Sequence, residues 1–211
     1  MKTEELIRVL VADGSRPFVP VSRKLWRALI GGVFASTALL LLFLHPRGDL
    51  PRAIFTLRFD FKLVFALLVA TAALLFLRET ARPFVPERWR RSLVLGPIFL
   101  LTGVVVELWR QPVTAWSGLL IGHNAAHCLS LIPLLSLPLV VCLLVALRHA
   151  APTKPVVAGA TAGLVAGGVG SFLYALTCPD DSPLFVATWY SIAIAVVTGG
   201  AAWVGKRLLR W

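Results

Sequence analysis

The chain has 211 residues, of which 58% are hydrophobic and 15% carry a charge. A soluble domain of this length does not bury so much apolar surface, so the composition excludes a soluble globular protein and indicates a membrane protein. The formal net charge of +11 does not require nucleic acid as a direct partner, because a bilayer explains where the basic residues lie.

Residues 1–25 form the predicted N-terminal segment, which contains a short amphipathic helix. Thr3 is a favourable residue to cap its start, and Asp13 and Gly14 are suited to end it. The apolar stripe of this helix consists of Leu6, Ile7, Leu10 and Val11. A helix of about ten residues is marginal alone in water. We therefore expect it to lie on the membrane surface, on the inner loops of the chain, or in a groove of a partner protein.

Residues 26–211 form the predicted transmembrane domain. Six apolar stretches approach the ~20 residues that are needed to cross ~30 Å of hydrocarbon. They cover approximately 28–44, 61–78, 93–109, 128–147, 156–177 and 184–204. The predicted fold class is therefore an all-α membrane protein with six transmembrane helices.

The basic residues predict the orientation of these spans. Most of the 21 Lys and Arg residues lie in the N-terminal segment, in the loops after the second and fourth spans, and in the C-terminal tail. Cytoplasmic segments carry such an excess of Lys and Arg. Both termini are therefore predicted to be cytoplasmic, with the loops after the first, third and fifth spans outside.

A five-residue string recurs along the chain. The sequence of residues 16–20, Arg-Pro-Phe-Val-Pro, is repeated at residues 82–86. Both copies fall in predicted cytoplasmic segments, which favours three sequential helical hairpins made of spans one and two, three and four, and five and six. The alternative is that basic, proline-rich segments simply suit cytoplasmic loops.

The fifth apolar stretch carries small residues at regular spacing. Gly159, Gly163 and Gly167 follow one another at intervals of four. Small residues at this spacing form a flat helix face that lets a second helix approach closely. We therefore predict helix packing through these glycines, with the fifth span central in the bundle.

Two of the three cysteines are predicted to meet at the outer side. Cys178 ends the fifth span and Cys128 begins the fourth, whereas Cys142 lies about 21 Å deeper at 1.5 Å per helical residue. An outer location is oxidising, so the pair could form a disulfide. The sequence leaves open whether Cys128 and Cys178 form a permanent crosslink or a reversible sensing pair.

Candidate metal ligands surround these cysteines in the sequence. His123 and His127 are four residues apart and share one face if they lie on a helix. Imidazole and thiolate are suitable ligands for zinc, cadmium or copper-type ions, and Asp180 or Asp181 could complete the set. The alternative is that the histidines lie in a solvated loop and bind nothing. We predict no catalytic residues and no resident cofactor, only transient binding of a heavy-metal ion.

Four segments together resemble the NrsF family of membrane anti-sigma factors. The resemblance extends over the whole chain and is specific mainly in the last forty residues. The segments read Met-Lys-Thr-Glu-Glu-Leu-Ile at 1–7, Cys-Pro-Asp-Asp-Ser at 178–182, Phe185 followed by Ala-Thr-Trp-Tyr at 187–190, and Arg-Leu-Leu-Arg-Trp at 207–211.

The resemblance implies a six-span protein of the bacterial inner membrane that negatively regulates SigF, an extracytoplasmic-function sigma factor. In this family the sigma factor is held at the membrane and released under stress such as heavy metals, a response associated with two cysteines. Cys128 and Cys178 match that pair by position. The apolar stripe of the N-terminal segment becomes the candidate sigma-binding surface.

Two other functions compete with a non-enzymatic regulator. A membrane thiol oxidoreductase would need a second exchangeable thiol pair, which Cys142 is too deep to supply. A small metal or solute transporter would need ionisable residues at mid-membrane, and spans four to six contain none.

Overall fold

A computed structural model of the chain describes residues 4–5, 21–80, 91–150 and 152–209. Several sequence-based predictions therefore concern residues outside the described part. These are the apolar stripe of Leu6, Ile7, Leu10 and Val11, and both copies of the repeated string at residues 16–20 and 82–86.

The described residues fold into helices joined by loops, without β-strands. Long apolar stretches form helices in this protein because a helix pairs every backbone N–H and C=O within one segment, as a bilayer interior requires. The helices are α1 (Val21–Phe43), α2 (Leu50–Ala53), α3 (Leu57–Thr80), α4 (Leu95–Arg110), α5 (Val113–Ile121), α6 (Ala125–Arg148), α7 (Pro155–Ala175) and α8 (Pro183–Leu208).

Five of the described helices are long and apolar enough to cross a membrane: α1, α3, α6, α7 and α8. The third predicted span corresponds to α4, which has only 16 residues and rises about 24 Å at 1.5 Å per residue. The membrane character of the fold is therefore supported, whereas a sixth crossing through α4 is not established by length.

The described helices pack around α7, which contacts α3, α6 and α8 and is the most buried of the five long helices. The third predicted hairpin is a closely packed pair of α7 and α8. In contrast, α1 packs mainly along α6, and α3 packs mainly along α7. The first two predicted hairpins are therefore not the main helix pairs of this bundle.

The glycines of α7 permit its close approach to α8. A methyl group in place of the Gly159 hydrogen would lie 2.5 Å from the carbonyl oxygen of Ala201. At Gly163 it would lie 2.8 Å from the Cα of Thr198, and at Gly167 3.3 Å from Ile194. The predicted glycine face thus lies against α8, where side chains larger than hydrogen would separate the two backbones.

The buried apolar residues form two clusters, one towards each end of the bundle. One end is formed by residues 44–56, 111–124 and 176–182, which include the short helices α2 and α5, and we call it the outer end. The cluster at this end contains Cys128 and Cys178 together with aromatic side chains. It positions the candidate functional site.

Candidate functional site

The segment that joins α7 to α8, residues 176–182, carries Cys178, and we call it the Cys178 connector. Cys178 donates its backbone N–H to the carbonyl of Tyr174 at 3.1 Å, so it continues the last turn of α7 before Pro179 ends it. At the other end, the hydroxyl of Ser182 accepts a hydrogen bond from the backbone N–H of Leu184 at 3.3 Å. A cap of this kind starts the next helix within a few residues.

The two outer thiols lie in one buried cluster. Cys128, in the first turn of α6, is 0% exposed and Cys178 is 1% exposed. Neither forms a disulfide. Cys142 is half-buried further along α6 and does not belong to this cluster.

Aromatic side chains surround the thiols. The ring centroids of Tyr174 and Tyr190 are 6.0 Å apart, and those of Phe185 and Tyr190 are 6.3 Å apart. Tyr190 lies in a π-helical turn of α8, Val186–Tyr190, a distortion that often occurs at functional sites. Its buried hydroxyl has no hydrogen-bond partner within the described part of the chain.

A fully buried lysine binds the Cys178 connector from α3. The Lys62 side chain is 0% exposed, and its Nζ donates to the carbonyl oxygen of Cys178 at 2.9 Å and to that of Asp180 at 3.3 Å. It also donates to Oδ1 of Asp181 at 2.5 Å. These contacts provide the buried ammonium with a counter-charge and two further acceptors, as a charge removed from water requires.

Arg47, in the loop after α1, binds the same part of the connector. Its guanidinium donates to Oδ2 of Asp181 at 2.8 Å and to the carbonyl oxygen of Cys178 at 3.2 Å. It also holds both oxygens of Asp49, at 2.6 and 2.7 Å. The Arg47 guanidinium lowers the pKa of Asp49 to about 2, and the hydrogen bond to Asp49 raises the pKa of Arg47 above its usual value.

Asp180 joins the connector to the start of α6. Its Oδ2 accepts hydrogen bonds from the backbone N–H groups of His123 and Asn124, at 3.0 and 2.9 Å, and from Nδ2 of Asn124 at 3.0 Å. The side chain of Asn124 does not itself cap this helix, so the connector supplies the acceptor. The turn before it uses Gly122 at φ 59°, a conformation that glycine adopts without strain.

Burial keeps the Cys178 thiol in its neutral form. Removal from water raises its pKa above the ordinary value of 9.0, and the charge of Lys62 opposes this only in part. A neutral thiol reacts slowly because the thiolate is the nucleophile and the metal ligand. Any reagent that acts on this thiol therefore has to reach it and displace a proton.

A cavity of about 600 Å³ opens at the outer end beside the connector. The residues that line it include Thr56, Arg58, Gly122, His123, Pro179, Asp180, Asp181 and Ser182. Residues 179–182 of the connector line this cavity, and the thiols lie on the core side of them.

The predicted metal ligands do not all face the same way. The His123 ring is 96% exposed and His127 is also exposed, whereas the thiols face the core. Asp180 and Asp181 are occupied by the donors described above. Among the described residues, no group of three or more His, Cys, Asp or Glu side chains is arranged to hold a metal ion. The metal-ligand set remains a prediction. Of its members, the structure brings only Cys128 and Cys178 into one cluster.

A family described as "Negative regulator of sigma F", NrsF, matches residues 10–211. The chain belongs to the NrsF family. It is 35% identical to the anti-sigma-F factor NrsF of Caulobacter vibrioides over 218 residues, and 31% identical to the probable anti-sigma-F factor NrsF of Azospira oryzae over 216 residues. Both alignments cover the whole of each chain. No solved structure matches the sequence.

In this NrsF-family chain, sequence reasoning missed the roles of Lys62 and Arg47, which both bind the Cys178 connector. The signal for Lys62 was a lysine inside an apolar stretch, since an ionisable residue at membrane depth is seldom without a partner. Its partner could not be read from the sequence because Asp181 lies 119 residues further along the chain.

Proposed function

We propose that this protein is a membrane-embedded anti-sigma factor of the bacterial inner membrane. It holds an extracytoplasmic-function sigma factor of the SigF type and releases it when a metal ion or an oxidant acts on Cys128 and Cys178. Membership of a family of negative regulators of sigma F supports the regulatory part. The observation that carries the sensing part is the burial of both thiols in one cluster beneath the Cys178 connector.

The proposed topology places the sigma factor and the sensed signal on opposite sides of the membrane. The chain crosses six times, with α4 as the short third span, and both termini are cytoplasmic. The sigma factor then meets the N-terminal segment, for which Leu6, Ile7, Leu10 and Val11 form the contact surface. The thiols lie at the opposite, periplasmic end of the bundle.

Two reactions could change the thiol cluster. A divalent metal ion displaces one proton from each thiol and forms two metal–sulfur bonds. Alternatively, a peroxide accepts two electrons: the thiols lose two protons and join as a disulfide, and the peroxide oxygens leave as two waters or, for an organic peroxide, as water and an alcohol. His123, His127, Asp180 and Asp181 are the further candidate ligands for a metal.

Either reaction replaces two neutral thiols in a packed, apolar cluster. The new bonds alter the distance between the start of α6 and the end of α7, and α7 extends through the bundle to the inner end. A preference of about 5.5 kcal/mol for the altered packing would move the population from 1:99 to 99:1. The N-terminal segment then loses its hold on the sigma factor.

Co-purification tests the regulatory part of the proposal. Extraction of the tagged full-length protein in a mild detergent should recover a sigma factor, and deletion of residues 1–20 should abolish that recovery. The paired substitution Leu6→Asp with Leu10→Asp should act like the deletion, whereas Glu4→Gln serves as a control on the same segment. Failure to recover any sigma factor with the intact chain would refute the proposal.

The sensing part requires a separate experiment. Cys128→Ser and Cys178→Ser should each leave the sigma factor bound when cells are exposed to cadmium or peroxide, while Cys142→Ser should respond as the unaltered protein does. Transcription from a sigma-dependent promoter measures the release. An unchanged response in both outer cysteine variants would show that the signal enters elsewhere.

A further inference from the structure

Lys62 is a fully buried cation in the first turns of a membrane helix. Such a charge is costly at membrane depth and persists where it has a specific partner. All three of its acceptors, two carbonyl oxygens and one carboxylate oxygen, belong to the Cys178 connector. The ammonium therefore ties α3 to this one segment.

Arg47 reaches the same segment from a different part of the chain. It shares Asp181 with Lys62, each cation taking one carboxylate oxygen, and it shares the carbonyl oxygen of Cys178 as well. The backbone N–H of Arg47 donates to the carbonyl of Leu176 at 3.2 Å. The loop after α1, helix α3 and the connector are therefore held together through one carboxylate.

Both cations also bind the carbonyl oxygen of Cys178, the cysteine of the proposed sensing pair that the connector carries. Fixing this peptide group fixes the Cα of Cys178 and the direction of its side chain into the core. The ring of Phe59 lies under both cations, 5.7 Å from the Arg47 guanidinium and 5.6 Å from the Lys62 ammonium, a geometry in which the aromatic face stabilises positive charge.

We propose that Lys62 and Arg47, joined through Asp181, form a latch that holds the Cys178 connector closed over Cys128 and Cys178. The latch determines how readily a reagent from the outer side reaches the thiols. Lys62 and Arg47 are positioning residues, since they act through the connector rather than on the sulfur atoms. The link to sigma-factor release rests on the proposed function, whereas control of thiol access does not.

The charges predict the order in which substitutions weaken the latch. Asp181→Asn leaves two cations beside the connector without their shared counter-charge, which is the most damaging way to break a buried ion pair. Lys62→Met removes one cation and leaves Asp181 paired with Arg47. The double variant, Lys62→Met with Asp181→Asn, leaves Arg47 paired with Asp49. Its connector should therefore open no further than that of Asp181→Asn alone, and the effects of the two substitutions should not add.

Thiol labelling in a Cys142→Ala background tests the latch. A charged maleimide is added to the full-length protein in a mild detergent, where both ends of the bundle are accessible, and labelling of Cys128 and Cys178 is followed in time. Labelling that requires the connector to open proceeds in proportion to the open population. We expect Lys62→Met to accelerate it at least about tenfold and Asp181→Asn to accelerate it more.

Glu107→Gln is the matched control. Glu107 is buried in α4 and binds Arg58 of α3 at 2.6 Å. Its substitution therefore also removes an ion pair of α3, but this pair joins α3 to α4 and not to the connector. Labelling should stay within about twofold of the unaltered protein, because an ion pair of α3 is lost while the contacts of Lys62 and Arg47 with the connector remain. Asp181→Glu retains the carboxylate and should label more slowly than Asp181→Asn.

Equal labelling rates in Lys62→Met, Glu107→Gln and the unaltered protein would overturn the latch. Equal acceleration in all variants would also overturn it, because general loosening would then explain the change. The melting temperature of each variant in detergent is measured alongside. If Asp181→Asn does not fold, Lys62→Met against Glu107→Gln decides the question.

A sigma-dependent reporter separates the latch from the proposed function. Faster labelling with higher reporter activity in unstressed cells supports both. Faster labelling with an unchanged reporter supports the latch and contradicts the proposed route from the connector to the sigma factor.

Discussion

Cys178 presents two groups to different surroundings: a thiol that faces the apolar cluster and a carbonyl oxygen that accepts hydrogen bonds from Lys62 and Arg47. The first group is the reactive one, and the second determines where the first lies. A residue that combines both can respond to chemistry at sulfur with a displacement of its own backbone. Burial suppresses that chemistry by raising the pKa of the thiol.

The buried thiol should show a shifted pH profile. With Cys178 as the only cysteine, in a Cys128→Ser and Cys142→Ala variant, the labelling rate should still be rising above pH 9, because burial raises the thiol pKa above 9.0. The neutral thiol's contribution to stability is complete below about pH 9 and decreases as the pH rises further. A free cysteine peptide, whose rate levels off near its own pKa, is the control. If the pH midpoint of Cys178 labelling lay below that of the peptide, the raised pKa of the Cys178 thiol would be contradicted.

At the scale of the helix, α7 determines how closely its neighbours approach. Glycines occupy the positions where α7 meets α8, and further glycines lie against α3 and α6. A methyl group at Gly168 would lie 2.9 Å from the Cα of Ala70 in α3. A methyl group at Gly170 would lie 3.0 Å from the carbonyl oxygen of Ile132 in α6. A helix packed in this way on three sides can transmit a shift from one end of the bundle to the other, because it has little room to absorb the shift.

Substitution at the glycine face should destabilise the α7–α8 pair. Gly159→Ala places a methyl group 2.5 Å from the Ala201 carbonyl oxygen, and we expect a loss of about 1–3 kcal/mol in the free energy of unfolding. Gly199→Ala, where a methyl group meets nothing within 4 Å, is the matched control and should be neutral or stabilising by up to ~1 kcal/mol. Unfolding in mixed detergent micelles with increasing dodecyl sulfate measures both. Equal stabilities of the Gly159→Ala and Gly199→Ala variants would contradict this prediction, because α7 and α8 would then accommodate the added methyl group without loss of stability.

At the scale of the whole molecule, the number of membrane crossings determines whether the C-terminus lies on the same side as the N-terminus. The 16 residues of α4 span less than the ~30 Å hydrocarbon core, and a short helix is accommodated by local thinning of the bilayer. The charged pair of Arg58 and Glu107 lies at its outer end, where polar groups reach the interface.

We expect reporter fusions to place both termini on the cytoplasmic side. Alkaline phosphatase, which is active only outside the cytoplasm, should be inactive when fused after residue 211 or at residue 88, and active when inserted at residue 48 or 115. A fluorescent protein that folds in the cytoplasm should give the reverse pattern. An active phosphatase at the C-terminus would show that the chain crosses an odd number of times.

Part of this architecture followed directly from local sequence. The long apolar stretches predicted the helices because the free energy of placing a helix in a bilayer is nearly a sum over its own residues. The spacing of Gly159, Gly163 and Gly167 predicted a packing face, and the order of the spans predicted that Cys128 and Cys178 would lie at the same end.

The sequence by itself thus determined the class of fold, the number of apolar stretches, the glycine face and the end of the bundle at which the cysteines lie. Only the tertiary structure decided that α1 packs on α6 and α3 on α7, that Tyr190 enters the cluster through a π-helical turn, and that Asp181 lies between Lys62 and Arg47. The physical reason is that hydropathy and helix periodicity are properties of neighbouring residues, whereas helix partners and ion pairs depend on the fit of surfaces that are far apart in the chain.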